Sequence, residues 1–120
     1  MGKTVAMQPW VTIKNAVNGT FYVIQPAADW VNAENFTEAA INIFVAGATG
    51  STANLCLETG AAPEGPWRQI GSSLSGTAVT VWYFTSREGG TDQFERFLRW
   101  KVGGTSGVWS RTFKLCATLK

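Results

Sequence analysis

The sequence predicts an all-β protein, a single antiparallel β-sandwich of jelly-roll-like form with about eight strands. Three observations lead there. Thirteen glycines, abundant threonine and few lysines or glutamates among 120 residues disfavour long helices and favour short strands joined by tight turns. Several segments alternate apolar and polar residues with a period of two, the pattern of a sheet buried on one face and solvated on the other. Turn signals recur at short intervals, as in sandwiches. Hydrophobic residues make up 45% of the chain and charged residues only 15%, with six tryptophans and seven phenylalanines, so a packed core is expected. The length suits one domain.

Residues 1–9 precede the first alternating run and are expected as an extended N-terminal arm, ordered only where something ties it down. The sandwich is expected over 10–120. Its first strand is Trp10 to Ala16, closed by Val17-Asn18-Gly19, because Asn-Gly tolerates the positive φ of a two-residue hairpin. The second is Thr20 to Ile24. Pro26 stops it, and Gln25 to Phe36 becomes a connection in which Ala27-Ala28-Asp29-Trp30 forms one helical turn. The third strand, Glu38 to Ala46, puts Ile41, Ile43 and Val45 on one face, and Gly47 to Ser51 turns the chain. The fourth, Ala53 to Thr59, points Leu55 and Leu57 inward and Asn54, Cys56 and Glu58 outward.

Pro63-Glu64-Gly65-Pro66 turns into the fifth strand, Trp67 to Ser72. Thr77 to Ser86 is the sixth, rich in β-branched and aromatic residues, and Glu88 to Asp92 forms a loop. The seventh, Phe94 to Val102, sets Leu98, Trp100 and Val102 against Phe97, Arg99 and Lys101. The eighth, Val108 to Leu119, sets Phe113, Leu115, Ala117 and Leu119 on one face. Trp82, Trp100 and Trp109 are expected inside, with Trp67 capping a hairpin end, while Trp10 and Trp30 are the candidates for exposure.

The chemistry available is narrow. There is no histidine, which removes the commonest general base, Ser-His-Asp and Cys-His arrangements and most zinc sites. Eight acidic residues are dispersed, mostly at turns and strand ends; two facing carboxylates in a cleft would be the minimum for a glycosidase. Glu88 and Asp92 are the only local pair for a calcium ion, and Gly103 to Gly107 joins strands without opening a helix, so it is no phosphate loop. No enzymatic activity, cofactor or metal is expected. Cys56 and Cys116 both fall on outward faces. They would oppose one another only if their strands were neighbours; free thiols are the expectation in a reducing compartment.

The net charge is +2 with no basic run, against a nucleic-acid partner. Arg96, Arg99 and Lys101 alternate with apolar residues as a solvated strand face. Ala39 to Ala46, the longest apolar stretch, is too short to span a bilayer, and no apolar h-region follows Met1. Synthesis in the cytosol is expected, with the sequons at Asn18 and Asn35 unused. Position 6 is Ala6, which breaks the myristoylation pattern at Gly2.

The segment Leu55-Cys-Leu-Glu-Thr-Gly-Ala-Ala-Pro-Glu-Gly-Pro-Trp-Arg-Gln-Ile-Gly71 resembles a hairpin of phage and viral structural domains. In these, a strand ending in Glu-Thr meets a Pro/Gly turn and a tryptophan opens the next strand. Arg96-Phe-Leu-Arg-Trp-Lys-Val102, followed by a Gly-rich turn and Thr112-Phe-Lys-Leu115, resembles their closing strands. Trp30 and Ala39 to Gly50 are also similar to them. Discoidin-like and other galactose-binding sandwiches share the Arg-Phe-Leu-Arg theme.

The resemblance implies a component of a phage virion, made in the host cytoplasm. A capsid decoration (cement) protein would stabilise the major capsid protein shell as a homotrimer. On that reading Met7, Trp10 and Trp30 lie at an interface, with Arg96, Arg99 and Lys101 making polar contacts on an exposed sheet face. The alternative is a carbohydrate-binding module or a receptor-binding tail or fibre domain, for which two or three coplanar exposed aromatics would stack on a glycan.

Overall fold

Where apolar and polar residues alternate, the chain forms strands, and the strands close into two sheets. The structure, a computed structural model, describes residues 2–50, 52–74, 80–87 and 93–120, with 80–87 described by backbone alone. Among the described residues the strands are β1 (Lys3–Asn15), β2 (Phe21–Ile24), β3 (Val31–Asn32), β4 (Glu38–Thr49), β5 (Asn54–Gly60), β6 (Trp67–Leu74), β7 (Thr80–Arg87), β8 (Phe97–Gly104) and β9 (Trp109–Leu119). The helical turn expected after Pro26 is a short 3-10 element, Ala27–Asp29.

A front sheet has the order β1-β9-β4-β7 and a back sheet β2-β8-β5-β6, with β3 also pairing to β8. Every pairing is antiparallel. Setting aside the two-residue β3, the first strand pairs with the last, the second with the penultimate, the third with the sixth and the fourth with the fifth. That is a long hairpin rolled over itself, the jelly roll. The core lies between the sheets, where Ile41, Ile43, Phe113 and Leu115 of the front face Leu55, Leu57, Leu98 and Trp100 of the back. Trp100 and Phe113 meet edge to face with ring centroids 5.1 Å apart, an arrangement the ring quadrupoles favour.

Several boundaries differ from expectation, each for a visible reason. β1 begins at Lys3, not Trp10, because β9 continues its ladder to Leu119 and offers residues 3–9 a partner (Lys3↔Leu119, Val5↔Ala117). Register shifts on either side of Gln8 accompany this, and Met7 is 2% exposed in the core. β4 runs through Gly47 to Thr49, since a bulge after Val45 lets pairing with β9 resume at Gly47↔Thr112. Cys56 lies on the outer face of the back sheet and Cys116 on that of the front. Two sheets therefore separate the thiols, which are too far apart for a bridge, and both are free. Of the sixth predicted strand, 77–79 lie outside the described residues, as does the Glu88–Asp92 pair; Trp82 is described by backbone only.

Two buried polar side chains tie the layers together. Gln25, 1% exposed, donates from Nε2 to the carbonyls of Met7 (2.8 Å) and Asp29 (3.1 Å). Its Oε1 accepts the Trp100 amide at 3.3 Å, and its own amide donates to the Trp100 carbonyl at 3.0 Å. Arg111 points into the crossover from β4 to β5. Its guanidinium donates to the carbonyls of Thr49 (2.6 Å), Gly50 (2.7 Å), Ala53 (2.9 Å) and Ser110 (2.8 Å). Burial pushes its pKa below the usual value.

Truncating Arg111 leaves the buried Ala53 carbonyl and three part-buried carbonyls without this donor. Arg111→Met is expected to lower unfolding free energy by about 3 kcal/mol, read as a lower urea midpoint at constant slope. Arg111→Lys should restore little of it, because an ammonium cannot span the four carbonyls that the planar fork reaches.

Candidate functional site

The outer face of the back sheet concentrates the chain's charged and aromatic side chains. Register sets its pattern: β5 and β8 pair Glu58 with Arg99 and Cys56 with Lys101, while β5 and β6 pair Glu58 with Gln69 and Gly60 with Trp67. The Glu58 carboxylate accepts a hydrogen bond on Oε1 from Arg99 Nε at 2.9 Å, Arg99 Nη2 ion-pairs with the same oxygen at 2.9 Å, and Oε2 lies 3.9 Å from Lys101 Nζ. One acid therefore faces two cations.

Aromatic rings cover one end of this pair. The Arg99 guanidinium sits 3.6 Å from the Trp67 ring centroid and 5.2 Å from that of Trp30, and Trp30 meets Trp67 edge-on at 4.7 Å. Trp30 is anchored by its indole N–H, which donates to the Gln25 carbonyl at 2.7 Å. Trp67 can lie flat because Gly60 has no side chain; a Cβ there would press on its ring. Cation–π contact and burial together hold Arg99 in place.

Toward the other end the face opens into a groove of about 220 Å³ lined by Tyr22, Asn54, Cys56, Glu58, Gln69, Ser73, Lys101 and Gly103. Tyr22 forms its rim, 45% exposed, with Lys101 Nζ 4.8 Å from its ring centroid. Gly103 permits this, since a Cβ there would collide with the backbone and ring of Tyr22. Burial, followed by the charge of Glu58, raises the Cys56 thiol from 9.0 to about 11.

The residues expected at an interface do not form one patch. Met7 is inside the core. Arg99 is not solvated: it is 8% exposed because Glu58 faces it across the ladder and two indoles cover it. Arg96 stays at the surface, 3.6 Å from Glu34 and over the Phe97 ring, and Lys101 is half-buried at the groove. Trp10 is 52% exposed on the opposite, front face, where Lys114 Nζ sits 5.1 Å from its ring and 4.9 Å from that of Phe44. Trp10 and Trp30 are thus no coplanar pair. Sequence reasoning did not single out Tyr22, Gln69 or Ser73; the exposed aromatic of a four-residue strand carries no signal until its neighbour is known to be Gly103.

Among the described residues no three metal-ligating side chains converge, and no helix is long and apolar enough to cross a membrane.

No protein-family model and no curated protein matches the sequence. Solved structures do. VP2 of infectious bursal disease virus, in a subviral particle, matches over 98% of this chain and 32% of its own, at TM-score 0.55 and 11% identity. A structure of the Gx strain of that virus matches over the same shares at 0.49 and 14%. A carbohydrate-binding module specific for non-crystalline cellulose matches over 87% of this chain and 76% of its own, at 0.35 and 10%. The first similarity shows a shared fold; at scores under 0.5 the others carry no weight. The chain spans about a third of the VP2 chain it matches.

With its pKa near 11, Cys56 should resist alkylation at neutral pH. Peptide-level mass spectrometry after iodoacetamide should show its rate rising about tenfold per pH unit until near pH 11. A plateau near pH 9 would contradict the raised value. Glu58→Gln should lower it only in part, since burial is the larger cause. Because the unfolded thiol ionises near its ordinary value of 9.0, the stability this group contributes is complete below pH 9 and is lost as pH rises towards 11.

Proposed function

We propose that this chain is a non-catalytic structural component of a virus particle, a decoration (cement) protein that stabilises a phage capsid shell. The single observation that supports the reading most is the jelly-roll strand order, whose match to VP2 from a viral particle extends over 98% of the chain. Fold alone does not assign function, so the surfaces matter as well. A cement protein adheres through rigid, partly apolar surface, and the front face offers one: Trp10 and Phe44 flank Lys114 on three strands held by the β1–β9–β4 ladders. Because β1 is ordered from Lys3, attachment on this reading uses a sheet face and not a flexible arm. Met7 then serves the interface from beneath, by holding β1 in place. Arg96 and Lys101 remain available for polar contacts on the other face. The β2 edge, with Phe21 and Ile24 exposed, is the candidate for self-association into a trimer.

Mass spectrometry of purified particles should find the chain in many copies, and light scattering should give a mass three times the 13.0 kDa chain, in solution or once bound to shells. Trp10→Ala should weaken attachment to capsids at least about tenfold while leaving the thermal midpoint close to that of the parent, as expected for an exposed anchor. Absence of the chain from particles would overturn the proposal.

A further inference from the structure

We infer that the groove on the outer face of the back sheet binds a neutral saccharide, one sugar ring at a time. Charge narrows the ligand class first. Glu58 and Lys101 both line the groove, and Glu58 is already paired with Arg99, so the lining carries charges of both signs and presents no single-sign site to an anion or a cation. A neutral polar ligand meets only groups that can bond to it.

The hydrogen-bonding inventory narrows it further. Gln69 donates from Nε2 to Ser73 Oγ at 3.0 Å and to the Gly71 carbonyl, which leaves its Oε1 as an acceptor. The Asn54 amide has no hydrogen-bond partner among the described residues and offers donors and an acceptor together. Glu58 Oε2 is beyond hydrogen-bond distance of Lys101 Nζ, at 3.9 Å, and both remain able to bond a hydroxyl. Vicinal hydroxyls, each at once donor and acceptor, match such a mixed set.

The exposed Tyr22 ring at the rim supplies the apolar surface on which the C–H face of a sugar packs. A space of about 220 Å³ is below the roughly 300–1,000 Å³ of sites that enclose a drug-sized ligand. It accommodates one ring, with a longer glycan continuing along the sheet. All these groups stand on strands, and their geometry is set before a ligand arrives. The groove would bind whether or not the chain rides on a particle, so loss of either property leaves the other intact.

The test is a titration of the ¹⁵N-labelled full chain with glucose, galactose, mannose, N-acetylglucosamine and their β1,4-linked disaccharides. At least one is expected to give saturable amide shifts centred on Tyr22, Asn54, Gln69 and Lys101. The dissociation constant should be on the order of a millimolar, as for a small ligand with few buried atoms. Tyr22→Ala should weaken binding at least about tenfold and Asn54→Ala severalfold, with unchanged amide dispersion elsewhere showing that the fold survives; Trp10→Ala, on the opposite face, should leave binding as it was. No saturable shift with any of these sugars, or shifts centred away from the groove, would each overturn the inference.

Discussion

A hairpin rolled into two layers must cross from one sheet to the other, and at each crossing the chain carries carbonyls away from its ladders. A buried carbonyl left unpaired costs on the order of 1–3 kcal/mol. Arg111 meets this demand at the β4–β5 crossover by donating to four carbonyls, three of them from residues 49–53. A buried guanidinium is itself expensive. Here no ion pair offsets it among the described residues, and the carbonyl bonds do so instead. Gln25 plays the corresponding part near the other end, bonding β1 through Met7, β8 through Trp100 and the 3-10 turn through Asp29. With these two of the chain's crossings secured, the two sheets are tied to each other at both places. Only then can Trp100 and Phe113 meet edge to face in the core.

The outer faces inherit their patterns from strand register. Because β5 and β8 run antiparallel with Leu57 opposite Trp100, the next residues out, Glu58 and Arg99, fall opposite each other on the solvent side. The guanidinium closes on one carboxylate oxygen, Oε1, in a charge-assisted contact, and nearby indoles cover it. Two glycines then shape the ends. Gly60 yields space to Trp67, which closes one end over Arg99, and Gly103 yields space to Tyr22, which stands at the open end. The groove is what remains between a packed aromatic end and a lone exposed ring.

The alternation of apolar residues made the sandwich legible before any coordinates: the inward sets on β5, β8 and β9 are the ones the period of two names. What alternation does not carry is partnership. Nothing in Lys3 to Pro9 announces a strand, because its pairing depends on β9 being long enough to reach it. Arg99 resembled a solvated residue since its neighbours in sequence are surface-like; its burial comes from Glu58 and Trp67, 41 and 32 positions away in the chain. Arg111 was invisible for the same reason, a charged residue in an apolar series whose justification is four backbone carbonyls. Trp30 was correctly placed in a connection, but its indole N–H finds Gln25, and that bond draws it into the back face. The candidate site was therefore half legible: Arg99 and Lys101 were named, while Tyr22, Gln69 and Ser73 were not.

The two outer faces differ in a way that bears on what one domain can do. The front face is bridged by hydroxyl pairs across strands, Thr12 with Thr112 and Thr49 with Ser110, each at 2.8 Å, and the exposed Trp10 indole lies beside Lys114. The back face is organised by a shielded ion pair and a concave, polar groove. Neither face contributes to the core, since in a sandwich every second residue of a strand suffices for that. The outward residues are thereby free to take on binding, and the two faces point in opposite directions. A domain attached to a large assembly by its front face would present its back groove to solvent. Adhesion and ligand capture would then proceed on the same strands without competing for the same side chains.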